Sequence, residues 1–151
     1  MTVAMVSGFE IRVAASAMTT GRVSVAPITT RISPRAESTM TAPIALSCGE
    51  PSGIGPELAE AAWEALRDSL PFFWIGAPGH LPGRVPHVIV DHPGEAVAAS
   101  ARGLPVLALD MPGPRVPGTP QPAQAAGVVA AIERGVAACQ SGEAAALCTL
   151  P

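Results

Sequence analysis

The sequence contains no lysine, and all nine of its basic residues are arginines. Charged residues make up only 14% of the 151 residues, and the formal net charge is −3. A nucleic-acid-binding surface and a polybasic membrane patch both require clustered basic charge, which this chain lacks. We therefore expect neither nucleic acid nor a membrane among its partners.

Long apolar runs and paired cysteines are also missing. No run approaches the roughly 18 to 20 residues of a membrane span. Cys48, Cys139 and Cys148 are odd in number and lack CxxC spacing, which argues against a disulfide framework or a zinc ribbon. Free thiols fit a reducing, cytoplasmic location. Cys48 adjoins a glycine-rich turn and could be reactive, but we favour a small buried hydrophobe.

Residues 1–39 differ in composition from the rest of the chain. They are rich in arginine, serine and threonine, with Glu10 and Glu37 as their only acids. This composition is typical of an organellar transit peptide. However, residues 40–43, Met-Thr-Ala-Pro, lead straight into the first predicted strand, as a native start would, and we favour a mis-assigned N-terminal extension. We expect residues 1–39 to be poorly ordered and residues 40–151 to hold the fold.

From residue 44 onward, apolar runs alternate with amphipathic segments. Strands are predicted at residues 44–47, 72–75, 86–90, 104–109 and 144–148. Helices are predicted at residues 56–69 and 122–140, with a short helical turn at best within 94–102. The proline-rich residues 110–121 predict an extended surface loop. This order predicts an α/β fold whose mainly parallel sheet is flanked by helices.

Both long helices are predicted to be amphipathic. The apolar face of the first should consist of Leu58, Ala61, Ala62, Ala65 and Leu66. Trp63 lies near the edge of that face and should pack, whereas Glu60, Glu64 and Arg67 should face water. The apolar residues of the second helix are Ala125, Val128, Val129, Ile132 and Val136. Gly142 is predicted to cap it.

Between the first strand and the first helix, residues 49–57 read Gly-Glu-Pro-Ser-Gly-Ile-Gly-Pro-Glu. Glycine at positions 49, 53 and 55 permits a positive φ or the close approach of a ligand. The free N–H groups at a helix start favour an anion or a polar ligand. A turn that only joins strand to helix is the alternative interpretation.

These nine residues resemble the N-terminal signature of the 4-hydroxythreonine-4-phosphate dehydrogenase family, Gly-(Asp/Glu)-Pro-(Ala/Ser)-Gly-Ile-Gly-Pro-Glu. Residues 118–127 and 142–151 resemble two further segments of that family, whereas residues 76–117 match only in outline. A related turn occurs in the isopropylmalate dehydrogenases. The resemblance therefore implies an isocitrate/isopropylmalate dehydrogenase-like α/β domain, of which residues 40–151 would form an incomplete, N-terminal part.

The resemblance also implies a chemistry. It is the oxidation of 4-hydroxythreonine-4-phosphate by NAD or NADP, followed by decarboxylation, in pyridoxine and pyridoxal phosphate biosynthesis. The implied enzyme is a homodimer that holds a divalent metal (zinc, magnesium or cobalt) and binds a phosphorylated small molecule. Its metal and substrate residues have no counterpart in this chain, so we assign no catalytic or metal-binding residue and expect the chain alone to be inactive.

The resemblance assigns Glu50, Gly53 and Gly55 to a cofactor-binding, cleft-lining turn, with Ile54 packed beneath it. His80, His87 and His92 are predicted to be solvated loop residues rather than metal ligands. The alternative to a truncated dehydrogenase is a non-catalytic α/β remnant that acts only as a binding or dimer-modulating fragment.

Overall fold

Five parallel strands form the sheet in the computed structural model, which describes residues 42–151. In chain order they are Ile44–Ser47 (β1), Phe72–Gly76 (β2), His87–Val90 (β3), Leu104–Ala108 (β4) and Ala146–Thr149 (β5). Their order across the sheet is β3-β4-β2-β1-β5, and every neighbouring pair runs parallel. The predicted α/β fold with a mainly parallel sheet is confirmed.

Three helices connect the strands. They span Gly55–Leu66 (α1, between β1 and β2), Ala96–Ser100 (α2, between β3 and β4) and Ala125–Ser141 (α3, between β4 and β5). Short 3-10 turns at Pro78–His80, Pro93–Glu95 and Pro122–Gln124 each begin with proline, whose fixed φ suits a first helical position. Gly142 ends α3 with φ 81°, in the left-handed region, so the predicted cap is confirmed.

The centre of the sheet forms the hydrophobic core. Every residue of β2 is buried, and Phe73, Trp74 and Ile75 are fully enclosed. Leu104 and Val106 of the neighbouring β4 are enclosed as well. A strand that is buried on both faces has a continuous apolar sequence. For that reason β2 could be predicted almost residue for residue.

Trp63 of α1 packs into this core, as predicted. It is 4% exposed, and its Nε1 donates a hydrogen bond to the carbonyl oxygen of Ser100, at 3.2 Å. The guanidinium of Arg67 lies over the indole ring, 4.8 Å from the ring centroid. The ring is therefore occupied by the protein's own groups and is not a stacking platform for a ligand.

The buried face of α1 differs from the prediction. Its buried residues are Gly55, Pro56, Ala59, Glu60 and Trp63. Leu58 and Leu66, predicted to be buried, are 40% and 38% exposed. The prediction that Glu60 faces water was wrong: its buried carboxylate accepts hydrogen bonds from the backbone N–H groups of Gly83, at 2.8 Å, and Arg84, at 3.2 Å. A distant loop thus supplies the donors that make burial of this acid possible.

The predicted apolar face of α3 is largely exposed in the described part of the chain. Val129, Ile132 and Val136 are 54%, 38% and 41% exposed. The helix is instead buried through its small residues, Ala131, Gly135 and Ala138. A Cβ at Gly135 would lie 2.5 Å from the side chain of Leu147, so a larger residue in α3 would require that side chain of β5 to move. β5 is an edge strand, and three of its four residues are exposed.

The predictions for residues 1–39 lie outside the described residues and stay predictions. Ala42 and Pro43 lead directly into β1, where the first strand was predicted. Within residues 42–151, no helix combines the length and the apolar character needed to cross a membrane.

Candidate functional site

The glycine turn, defined here as residues 49–57, follows the carboxyl end of β1. β1 lies between β2 and β5, and Ser47 at its end is in register with Ile75 and Thr149. After β1 the chain continues to β2, on one side of β1. The last strand, β5, lies on the other side of β1, and the chain reaches it from β4 by a crossover connection. In open parallel sheets, ligands bind beyond the carboxyl ends of the strands at such reversals of strand order. The glycine turn therefore lies where this fold favours a ligand.

Gly49 and Gly55 are required by the packing of the turn itself. Gly49 has φ 65°, and a Cβ there would collide with the carbonyl oxygens of Leu150 and Pro151. A Cβ at Gly55 would collide with the carbonyl oxygen of Cys48. Intramolecular contacts thus account for glycine at both positions.

Glu50 closes the turn around Gly53. Its carbonyl oxygen accepts a hydrogen bond from the N–H of Gly53, at 2.9 Å, and its side-chain Oε1 accepts one from the N–H of Ser52, at 3.1 Å. A Cβ at Gly53 would lie 3.2 Å from the Glu50 carbonyl oxygen, which is a tight contact. The φ angle of Gly53 is outside the left-handed region. The predicted cofactor residues Glu50, Gly53 and Gly55 are thus brought together in one turn, and their role in binding stays a prediction.

Several polar groups around the turn have no partner within residues 42–151. Ser47 and Ser52 are 1% and 3% exposed, and neither hydroxyl has a hydrogen-bond partner there. In the same range, the N–H groups of Ile54 and Gly55, at the start of α1, have no acceptor. Buried polar groups are normally hydrogen-bonded. The turn therefore retains donors that a polar ligand could use.

One residue of the turn, Ile54, and one residue beside it, Cys48, bear on other predictions. Ile54 is 62% exposed, so the prediction that it packs beneath the turn was wrong. It occupies the N-cap position of α1, ahead of the first buried residue of that helix. Cys48 is 1% exposed, and burial, together with the charge of Glu50, raises the pKa of its thiol to about 11. A thiol with that pKa is a poor nucleophile, so Cys48 is the small buried hydrophobe that we favoured.

Arg115 binds the glycine turn from the proline-rich loop of residues 110–121. Its Nε donates to the carbonyl oxygen of Pro51, at 2.7 Å, and its Nη2 donates to that of Gly53, at 3.2 Å. The same Nη2 pairs with the carboxylate of Glu57, in the first turn of α1. One guanidinium thus joins three acceptors of the turn, a contact that our sequence analysis missed.

Two features accompany this contact. The N–H of Gly118 in the same loop donates to the carbonyl oxygen of Ser52, at 2.8 Å. Burial opposes the ionisation of Glu57, but hydrogen bonds from Arg115 and from its own backbone hold the pKa of its carboxyl below the usual value. Glu57 therefore remains ionised beside the start of α1 and is neutralised by its partner.

His80 lies buried behind the proline-rich loop, so the prediction that it is solvated was wrong. It is 3% exposed, and its Nε2 lies 3.0 Å from the carbonyl oxygen of Gly113. Gln124, 1% exposed, donates to the carbonyl oxygens of Pro112 and Pro114, both at 3.2 Å. Because proline has no N–H, a proline-rich loop has few backbone donors for its own carbonyl oxygens. The side chains of His80 and Gln124 supply donors in their place.

The other two histidines are exposed. His87 lies on β3, and the Nε2 of His92 is 2.6 Å from the carboxylate of Glu143. Among residues 42–151, no group of three or more His, Cys, Asp or Glu is arranged to hold a metal ion. The described residues therefore do not fit the divalent metal that the family resemblance implies.

Comparison with curated proteins gives one consistent name. The chain is 48% identical over 114 residues to the 4-hydroxythreonine-4-phosphate dehydrogenase of Roseobacter denitrificans, which covers 76% of this chain and 35% of the relative. It is 53% identical over 108 residues to the enzyme of the same name from a Ruegeria species, which covers 72% and 33%. The chain thus spans about a third of the length of these relatives. No protein-family model matches it.

Solved structures agree with these relatives. A 4-hydroxythreonine-4-phosphate dehydrogenase from Klebsiella pneumoniae superposes with a TM-score of 0.62 at 27% identity, over 73% of this chain and 37% of that one. A structure from Salmonella typhimurium has the same TM-score at 24% identity, which supports the fold alone. The chain is therefore similar, over about a third of their length, to the 4-hydroxythreonine-4-phosphate dehydrogenases, and the family resemblance noted in its sequence is confirmed.

Proposed function

We propose that this chain contributes the glycine turn and its supporting sheet to a 4-hydroxythreonine-4-phosphate dehydrogenase. The observation that carries the proposal is its 48% and 53% identity to relatives of that name. The name describes a dehydrogenase acting on a phosphorylated hydroxy amino acid. We assign NAD or NADP as the hydride acceptor, pyridoxal phosphate biosynthesis as the context and a cytoplasmic homodimer as the assembled form.

In this enzyme we assign the glycine turn to the cleft where the dinucleotide and the substrate meet. Its position at the carboxyl end of β1 supports this assignment. The N–H groups of Ile54 and Gly55, which have no acceptor among residues 42–151, provide donors for a polar or anionic group. Ser52, whose buried hydroxyl lacks a partner among the described residues, provides another.

The other catalytic groups are assigned to polypeptide outside residues 42–151. The described residues hold no set of metal ligands, and they match about a third of each relative. We therefore expect the chain by itself not to oxidise the substrate. A non-catalytic binding fragment would show the same inactivity, so the test must supply the missing groups.

The test is a chimera in which this chain replaces the matching third of the Ruegeria relative. NADH formation from 4-hydroxythreonine-4-phosphate is compared for the chimera, the chain alone and the remaining part of the relative alone. We expect turnover only in the chimera. A folded chimera without turnover, beside an active intact relative, would contradict the proposal and favour the non-catalytic fragment.

The same chimera tests the assigned cleft. Gly53→Val adds a side chain to the turn where the ligand is proposed to approach, and it should raise the KM for NAD or abolish turnover. Gly79→Val is the matched control, because a Cβ at Gly79 meets no atom within 4 Å. Normal kinetics in folded Gly53→Val would remove the turn from the site.

A further inference from the structure

Three acceptors of the glycine turn converge on one half-buried cation. The Arg115 side chain is 11% exposed and bonds to the carbonyl oxygens of Pro51 and Gly53 and to the Glu57 carboxylate. Hydrogen bonds to a charged donor are roughly twice as strong as those between neutral groups. The guanidinium fork is also planar, so it fixes directions as well as distances.

These bonds determine how the backbone of the turn is oriented. All peptide bonds in the described residues are trans, so the C=O and N–H of one peptide unit point in opposite directions. Arg115 holds the C=O of Gly53, and the N–H of Ile54 in the same peptide unit is thereby directed away from Arg115. Two peptide units earlier, Arg115 holds the C=O of Pro51 and Glu50 holds the N–H of Ser52.

The charge of Arg115 has a second effect. Glu57 is ionised and lies in the first turn of α1, where a bare carboxylate would repel an anionic ligand. Its pairing with Arg115 cancels that repulsion while leaving the N–H groups at the helix start available. The same side chain therefore orders the turn and removes an opposing charge.

We propose that Arg115 is a positioning residue, which holds the glycine turn in the conformation that receives an anionic ligand such as the dinucleotide. The part of this proposal that concerns the ligand rests on the proposed function. Its structural part can be tested in the full chain without any activity.

The first experiment measures hydrogen exchange of the Ser52 and Gly53 amides, which are protected by bonds within the turn. We expect Arg115→Gln to exchange these amides roughly tenfold faster, because the turn opens without the cation. Arg134→Gln is the matched control, since Arg134 also donates to a carbonyl oxygen, that of Ala108, but is exposed. Unchanged exchange in folded Arg115→Gln would overturn the proposal.

Arg115→Lys is a second variant, which tests the proposal if Arg115→Gln fails to fold. Lysine keeps the charge near Glu57 but cannot reach three acceptors with a planar fork, so exchange should still be faster than in the wild type. Wild-type exchange in Arg115→Lys would show that the fork geometry is dispensable and would contradict the proposal.

The second experiment uses the active chimera. Arg115→Gln should raise the KM for the dinucleotide several-fold with a smaller change in kcat. Arg115→Gln combined with Glu57→Gln should recover part of the affinity, because the uncancelled charge of the Glu57 carboxylate is gone. An unchanged KM beside faster exchange would overturn the ligand-directed part. A folded wild-type chimera without turnover would instead contradict the proposed function, and the exchange result would still decide whether Arg115 holds the turn.

Discussion

At the scale of single residues, the presence of glycine at each position of the glycine turn has a different physical explanation. Gly49 needs its left-handed φ and the absence of a Cβ, whereas Gly55 needs only the absence of a Cβ beside the Cys48 carbonyl. Gly53 is tightly packed but has no such collision. The motif is therefore partly a folding requirement, and Gly53 is the position at which a ligand-binding role can be tested with the least damage to the fold.

The first prediction at this scale concerns Gly55→Ala. Its methyl group would collide with backbone rather than with a flexible side chain, so we expect a loss of about 1–3 kcal/mol in the free energy of unfolding. Gly79→Ala, at a position with open space and no left-handed φ, should change stability by less than about 1 kcal/mol. Urea unfolding of both variants measures the difference, and equal stabilities would contradict the close approach of Gly55 to Cys48.

The second concerns the pH dependence of stability. The pKa of Glu57 is lowered in the folded state, so the unfolded chain binds more protons near that pKa. The stabilisation that the ionised Glu57 carboxylate provides is therefore present above the unfolded pKa of about 4.3, and it is lost as the pH falls through the folded pKa. Glu57→Gln should show a shallower loss of unfolding free energy on acidification than the wild type.

Asp68→Asn provides the control for this measurement. Asp68 is also near an arginine, Arg67, but the pair is 3.9 Å apart and the Asp68 side chain is 94% exposed. Exposed ion pairs contribute little. Its acid profile should match that of the wild type, and an identical profile for Glu57→Gln would show that the Arg115 pair does not stabilise the fold.

At the scale of elements, α1 and α3 show the limits of helical periodicity. Periodicity located both helices within a few residues, but it did not identify which face is buried. In α1 the acid Glu60 is buried while the leucines expected there are exposed. In α3 the small residues approach the sheet while Val129 and Val136 remain exposed. Contacts with distant loops and strands decide these faces.

Glu60 provides the prediction at this scale. Glu60→Ala would leave the N–H groups of Gly83 and Arg84 without their acceptor, and we expect it to lower the free energy of unfolding by about 2–3 kcal/mol. Glu64→Ala, on the exposed side of the same helix, should cost less than about 0.5 kcal/mol. Thermal or urea unfolding compares the two, and a similar small effect for both would show that the Glu60 contacts do not hold the loop.

At the scale of the whole described molecule, residues 42–151 form a hydrophobic core around β2 and β4. The enclosed side chains of β2 and β4 and the buried Trp63 all belong to this part of the chain. The sheet pairs its strands in an order far from their order in the sequence, and β5 joins β1 across most of the described chain.

This arrangement leads to a prediction for residues 1–39. Their removal should leave the Tm of the remainder almost unchanged, because the core around β2, β4 and Trp63 lies within residues 42–151. Differential scanning calorimetry of the full chain and of residues 40–151 makes the comparison. A fall in Tm of more than several degrees would mean that the N-terminal residues contribute to packing, and our interpretation of residue 40 as the start would be wrong.

The sequence by itself determined the local structure: the strands around Ala45 and Trp74, the turn chemistry of Gly49 and Gly142, and the family resemblance of residues 49–57. These features depend on neighbours within a few residues, which periodicity and φ preferences report directly. Only the tertiary structure brought Arg115 to the turn and Glu60 to a distant loop. Their partners lie 58 to 64 and 23 to 24 residues away, and no local pattern encodes a pairing at such separations.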